Sequence, residues 1–178
     1  MEVRRVVTGT SPGGKAVFAS DEVVAPITVG LMPGIEFLPL WGSDHQMILP
    51  TDGTQPDAPA YFPPAGGFRF GFVSIPPEGQ PPEGRALPDV EEVELKLPGL
   101  LSHMEPDHPG MHTTDTIDFN VVVSGEIFVE LDDGAEVHVK AGDCVIQNGA
   151  RHAWHNRSSE PCVLAVTIVG ASRGLPDT

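Results

Sequence analysis

Residues 112–156 read HTTDTIDFNVVVSGEIFVELDDGAEVHVKAGDCVIQNGARHAWHN, and the alternation in the middle of this stretch decides the fold. Ile127, Val129 and Leu131 alternate with Glu126, Phe128 and Glu130. Asp132-Asp133-Gly134 then reverses the chain, and Val137 and Val139 alternate with Glu136, His138 and Lys140. A period of two on either side of an Asp-Gly turn predicts a β-hairpin with one dry face. Working outward, apolar β-prone runs predict strands over 117–123, 143–147, 152–156 and 162–169. Short strands with Gly, Asp and Asn at their junctions point to an all-β sandwich or barrel.

The first hundred residues are less regular. Strands are expected over 15–19, 68–75 and 93–97, and prolines at 50, 56, 59, 63, 64, 76, 77, 81 and 82 interrupt what lies between. Proline lacks the amide that a sheet ladder needs, so 43–64 and 76–88 are expected as loops or lids. The 19 prolines and 20 glycines stay below the share that marks a disordered chain. No stretch combines helical periodicity with caps over more than about ten residues. The expectation is one domain over 1–178, with an arm of strands and loops in 1–100 and a core barrel in 101–172.

A formal charge of −15 repels phosphate backbones and anionic lipid, which argues against nucleic-acid and membrane-surface partners. The longest apolar run, 163–169, is far short of the roughly 20 residues that span a bilayer. The N-terminus, Met1-Glu2-Val3-Arg4-Arg5, carries no apolar leader, so a cytoplasmic location is expected. Cys144 and Cys162 lack redox spacing and sit in strand-like runs, where buried free thiols are expected.

The chemistry-bearing residues fall between 112 and 156: His112, Thr114, Asp118, Gly125, Gly142-Asp143, Gly149, His152 and Asn156. This spacing resembles the two short motifs of the cupin superfamily. In the first motif Asp118 stands at the family's glutamate position, His112 at its first histidine and Thr114 at its second. The second motif is matched by Gly149, His152 and Asn156, without the usual proline. Trp41 and Tyr61-Phe62-Pro63-Pro64 extend the likeness to a group of small single-domain bacterial cupins. The resemblance implies a double-stranded β-helix, or jelly-roll barrel, with a loop-rich N-terminal arm. It also implies dioxygenase, decarboxylase, isomerase or lyase chemistry on a small organic molecule. Such barrels often pair edges, which makes a homodimer the expectation.

Parity carries the physical reading. On an extended chain His112, Thr114, Asp118 and Asn120 face one side, and His152 and Trp154 share a face on another strand. Two imidazoles and a carboxylate meeting from two strands make a three-ligand metal site suited to Fe(II) and tolerable for Mn, Ni, Co or Zn. Asp118, one methylene shorter than glutamate, is alternatively placed behind a ligand imidazole, which it orients. His108 is the candidate to replace the ligand lost at Thr114. Asn120 and Trp154 are expected to line the cavity for substrate, with Trp154 also readable as core. Arg69, alternating with Phe68, Phe70 and Phe72, either holds a substrate carboxylate or faces solvent. Asp132-Asp133-Gly134 lacks the later glutamate of a calcium loop and reads as a turn. Three functions compete: a metal-dependent enzyme, a metal-free cyclase or dehydratase in which Asp118 and the histidines move protons, and a small-molecule binding protein without turnover.

Overall fold

A computed structural model describes residues 1–79 and 89–174, so part of the expected 76–88 loop lies outside the described residues. Among the described residues, ten strands form three antiparallel sheets. β1 (Val3–Thr10) and β2 (Ala16–Val24) make a separate ribbon. The large sheet runs β3 (Glu36–Ser43), β4 (Phe68–Ile75), β10 (Cys162–Gly170), β5 (Thr116–Ser124) and β8 (Cys144–Asn148) in that spatial order. The small sheet runs β7 (Glu136–Lys140), β6 (Glu126–Glu130) and β9 (Ala153–His155). This is the all-β double-stranded β-helix that the sequence implies. No helix among the described residues is long and apolar enough to cross a membrane.

The hairpin forms in the expected register, with Ile127 opposite Val139 and Phe128 opposite His138. Asp133 takes a left-handed conformation at φ 58° in the turn between β6 and β7. Gly125, at φ 76°, joins β5 to β6 where an added Cβ would sit 2.7 Å from the Pro161 carbonyl oxygen. Both the backbone conformation and the close approach demand glycine there. Ile127, Val129 and Val139 bury against Val122, Cys162 and Leu164, which fuses the two sheets into one core. Truncating Ile127, which has no exposed surface, is expected to cost about 2–5 kcal/mol.

Three local expectations are corrected. Residues 93–97 belong to a helix, α1 (Val90–Lys96), rather than a strand. The alternation of Val93, Leu95 and Leu97 with charged residues imitates a strand. Asp89 caps the helix by accepting from the Glu91 amide, and Val93 and Leu97, four apart, bury together while Leu95 stays 82% exposed. Strands β1 and β3 were not expected; β3 tolerates Pro39 because its ladder shifts register between Pro39 and Trp41. Cys144 is exposed, on the outer side of β8, and only Cys162 is buried.

Candidate functional site

β5 builds the floor of the site through strict alternation: Thr116, Asp118, Asn120 and Val122 are buried, and the residues between them are exposed. β10 lies alongside, setting Ile168 opposite Asp118 and Val166 opposite Asn120. His112 and His152 come together through a two-residue bridge in which each amide donates to the other's carbonyl at 3.0 Å. Their ring centroids are 4.2 Å apart. Each imidazole donates its Nδ1–H to a backbone carbonyl, His112 to Gly110 at 3.0 Å and His152 to Ala150 at 2.8 Å. That choice of partner fixes the tautomer and leaves Nε2 as the acceptor on both rings.

A cavity of about 160 Å³ collects His112, Asp118, Asn120, His152 and Trp154, five of the six residues that the sequence assigns to metal or substrate. Its remaining wall is mostly apolar, with Phe37, Val73, Leu164 and Ile168 prominent. This largely apolar setting shifts the ionisation of Asp118, His112 and His152. Burial pushes the Asp118 carboxyl up, only partly offset by the Thr116 hydroxyl. Burial pulls His112 down despite its bond to Gly110, with His103 lowering it further. His152 falls to about 4 through burial and then the nearby His112. The site therefore disfavours charge on the acid and on both imidazoles alike. Asp118 Oδ1 is buried without a hydrogen-bond partner among the described residues, an open polar position inside the cavity.

As placed, the donor atoms of His112, Asp118 and His152 are not all within 4.8 Å of one another. Among the described residues, the group with ligand atoms all within 4.8 Å of one another is Glu130, Glu136 and His155, not His112, Asp118 and His152. That outer trio is already paired: His155 bonds Glu78 at 2.7 Å and Glu130 at 2.6 Å, and Arg157 holds both oxygens of Glu136. Thr114 does not supply a ligand either, since its hydroxyl pairs with that of Thr116 at 2.7 Å in a buried contact. His108 does not replace it; its side chain is largely exposed, 3.4 Å from Glu105.

Arg69 is the sixth residue, and its expected hold on a substrate carboxylate is corrected. It does face inward, opposite Ile168, but all five of its N–H groups are committed. Nε and Nη2 donate to the Ala60 carbonyl, Nη1 to the Ser43 and Phe68 carbonyls, and Nη2 also to Asp44 at 2.5 Å. The guanidinium pins the proline-rich loop to the barrel. Asn156, fully buried, likewise holds a turn by donating to Ile75 and Glu160.

Tyr61 is the site residue that the sequence reading missed. Its ring meets Phe37 and Phe62 edge to face, and burial and then the Asp118 carboxyl push its phenol up. With Phe37, Val73, Val166 and Ile168 it lines both this cavity and a second one of about 160 Å³. As the chain's one tyrosine inside a proline-rich loop, it carried a signal that strand periodicity cannot register.

Comparison with known proteins matches residues 100–169 to the cupin domain family. The chain is 39% identical over 87 residues to "Phomopsin biosynthesis cluster protein C'" of Diaporthe leptostromiformis, covering 49% of this chain and 40% of that protein. It is 38% identical over 65 residues to "Oryzines biosynthesis cluster protein J" of Aspergillus oryzae, covering 34% and 36%. The chain thus spans less than half the length of these curated relatives, which are fungal where the sequence suggested bacterial kin. Among solved structures, the cupin domain of Schizosaccharomyces pombe Cnp3 is similar at 14% identity and a TM-score of 0.47, covering 94% of this chain and 87% of that one.

Proposed function

Taking the chain as a member of the cupin superfamily, we propose that it transforms a small, largely apolar molecule by proton transfer between Asp118 and the His112–His152 pair. The carrying observation is the unpartnered Asp118 oxygen in one cavity with two imidazoles whose Nε2 atoms accept, where burial raises the acid and lowers both rings. An acid raised by burial beside bases lowered by it brings a proton donor and a proton acceptor closer to coexisting at one pH, as dehydration or isomerisation requires. Asp118 gives its proton to a departing hydroxyl or a carbonyl oxygen. One Nε2 accepts a proton from the substrate's carbon, and transfer from imidazolium back to carboxylate restores the site. The apolar wall excludes water that would screen both groups. The similarity to proteins of biosynthesis clusters supports placing this step in the making of a small organic product. A cavity near 160 Å³ suits a body about the size of benzene.

A metal-centred reading is favoured by one observation, the two imidazoles with their Nε2 atoms free to act as acceptors. One experiment separates the two. The protein is dialysed against a chelator, incubated with a metabolite extract of its host, and the products are followed by mass spectrometry. Turnover is expected to survive chelation and to fall about 10²–10⁴-fold in Asp118→Asn. Turnover lost on chelation and restored by Fe(II) would instead establish the metal reading, and ligand depletion without any product would make the protein a binding module.

A further inference from the structure

The cavity that holds Asp118 has a neighbour of the same size, about 160 Å³, and the two share Phe37, Tyr61, Val73, Val166 and Ile168. Val73 on β4 and Val166 and Ile168 on β10 give them a common floor. The Phe37 and Tyr61 rings, which line both, meet edge to face with centroids 5.6 Å apart. Size argues that these are halves of one site. Pockets that take organic ligands begin near roughly 300 Å³, which either cavity misses by about half and the pair together reaches.

The aromatic partition hangs on a fixed frame. Phe37 exchanges both backbone hydrogen bonds with Ile27, at 2.9 and 2.7 Å. The Tyr61 amide donates to the Pro98 carbonyl at 2.8 Å, and the carbonyl of the preceding Ala60 accepts from Arg69. With the backbone held on both sides of Tyr61, rotation of its side chain is the motion left to join the two spaces.

The outer cavity differs chemically from the inner one. Ala58, Pro59, Leu97 and Pro98 enclose it, from the proline-rich loop and the end of α1, all outside the 100–169 family match. Among the described residues no carboxylate lines it, and both of its cations are committed. Arg69 has no N–H to spare, and Lys96 donates to the Thr28 carbonyl at 2.9 Å and to Glu92 at 2.7 Å. A charged group entering there loses its water without gaining a partner, whereas a hydrocarbon gains by leaving water.

We propose that the two cavities are lobes of one site for a molecule in two parts: an oxygen-bearing head beside Asp118 and His152, and an uncharged hydrocarbon tail carried past the Tyr61 ring into the outer lobe. The head rests on the proton-transfer reading given above; the tail rests on the outer walls alone. A benzene-sized head binds weakly by itself, and burying a non-reacting tail is how a small reacting group is held in place.

Isothermal titration of the full chain with phenol, para-ethylphenol and para-butylphenol tests this. Affinity is expected to rise about 4-fold for each methylene added. Ala58→Trp, which crowds the outer lobe, is expected to cancel that gain and bring para-butylphenol down to the affinity of phenol. Ala58→Leu replaces it should the tryptophan variant lose the native circular dichroism spectrum. Two probes of similar length that end in a charge, para-hydroxyphenylpropanoate and tyramine, are expected to bind at least about 10-fold more weakly than para-butylphenol. Equal affinities for the three phenols, no binding by any of them, or a gain retained in the natively folded Ala58 variant would overturn the proposal, and either charged probe matching para-butylphenol would overturn the uncharged tail. The turnover of Asp118→Asn separates the two readings. A gain in the parent chain with turnover surviving in Asp118→Asn would remove proton transfer and keep the two lobes; turnover falling in that variant with no gain in the parent would remove the tail and keep proton transfer.

Discussion

His152 precedes one short strand and His155 ends it, three residues on, and the fold drives their ionisation in opposite directions. His152 points into the cavity, meets apolar walls and a second imidazole, and drops to about 4. His155 points outward. Burial pulls it down too, but hydrogen bonds and charges from Glu78 and Glu130 outweigh that, and it rises above the ordinary histidine value. The cause is the company each ring keeps. Inside, burial disfavours the charged forms of His152 and Asp118 alike, and the ring's hydrogen bond goes to a backbone carbonyl rather than to a carboxylate. Outside, two carboxylates pair with one ring, and the charged form wins. The inner group is set up to exchange protons with a ligand, whereas the outer group ties the segment carrying Glu78 to β6.

The largest test of this contrast is acid stability. His152 has a folded value depressed below its unfolded one, so its contribution is complete above about pH 6.5 and is lost as pH falls toward about 4. At about 1.4 kcal/mol per unit the loss amounts to roughly 3 kcal/mol. His155 runs the other way, adding stability below its unfolded value that fades as pH rises through the raised folded one. Urea unfolding of His155→Gln at pH 7.0, 5.5 and 4.5 removes the opposing outer ring and reads the decline due to the two inner rings, of which His152, lowered to about 4, is expected to carry most. The additional replacement His152→Asn is expected to flatten it. A double variant with the same slope as His155→Gln would show that His152 is not desolvated as described.

How much of this could be read beforehand depends on what the sequence pattern encodes. Period-two alternation specified β5, β6 and β7 and put Asp118 and Asn120 on the inner face, because register on a one-sided sheet turns a residue's parity into burial. The same rule misled at 93–97, where seven residues are too few to tell a strand from a capped helix whose burial runs i, i+4. Convergence was only partly legible. Spacing brought His112, His152 and Asp118 to one cavity, but spacing carries no ångström-scale information, and the three donors are not drawn into a single coordination sphere. Arg69 shows a further limit. Parity left it either inward or facing solvent, and the carbonyls of Ser43, Ala60 and Phe68 that consume its donors depend on an irregular loop path. Tyr61 reaches the site along that same path.

A middle-sized effect comes from Asp118. Its folded value is raised above the unfolded one, so its favourable contribution is present below about 3.8 and is lost as pH rises through the folded value. Asp118→Asn keeps the shape and removes the titration. The expected result is a gain of about 1 kcal/mol at pH 7, shrinking toward zero near pH 4, alongside the loss of turnover proposed above. Urea midpoints at the two pH values measure it. A variant less stable than the parent at pH 7 would mean that Asp118 is satisfied in the folded state, against the unpartnered Oδ1.

The smallest effect lies outside. Glu78 is half exposed and lends one of the two carboxylates on His155. Exposed ion pairs are worth about 0.2–1 kcal/mol, because water screens them and two side chains must be held still. Glu78→Gln is therefore expected to shift stability by a few tenths of a kcal/mol at pH 6, with the sign of a loss. The sharper readout is the ring itself: the His155 imidazole signal in an NMR titration moves to a lower midpoint, and His152 stays unprotonated through the same range. Since Glu130 still reaches Nε2 at 2.6 Å, the midpoint falls without reaching that of the inner ring. Equal midpoints for the two histidines in this variant would show that Glu78 alone separates them, and that the buried wall around His152 contributes nothing to the difference.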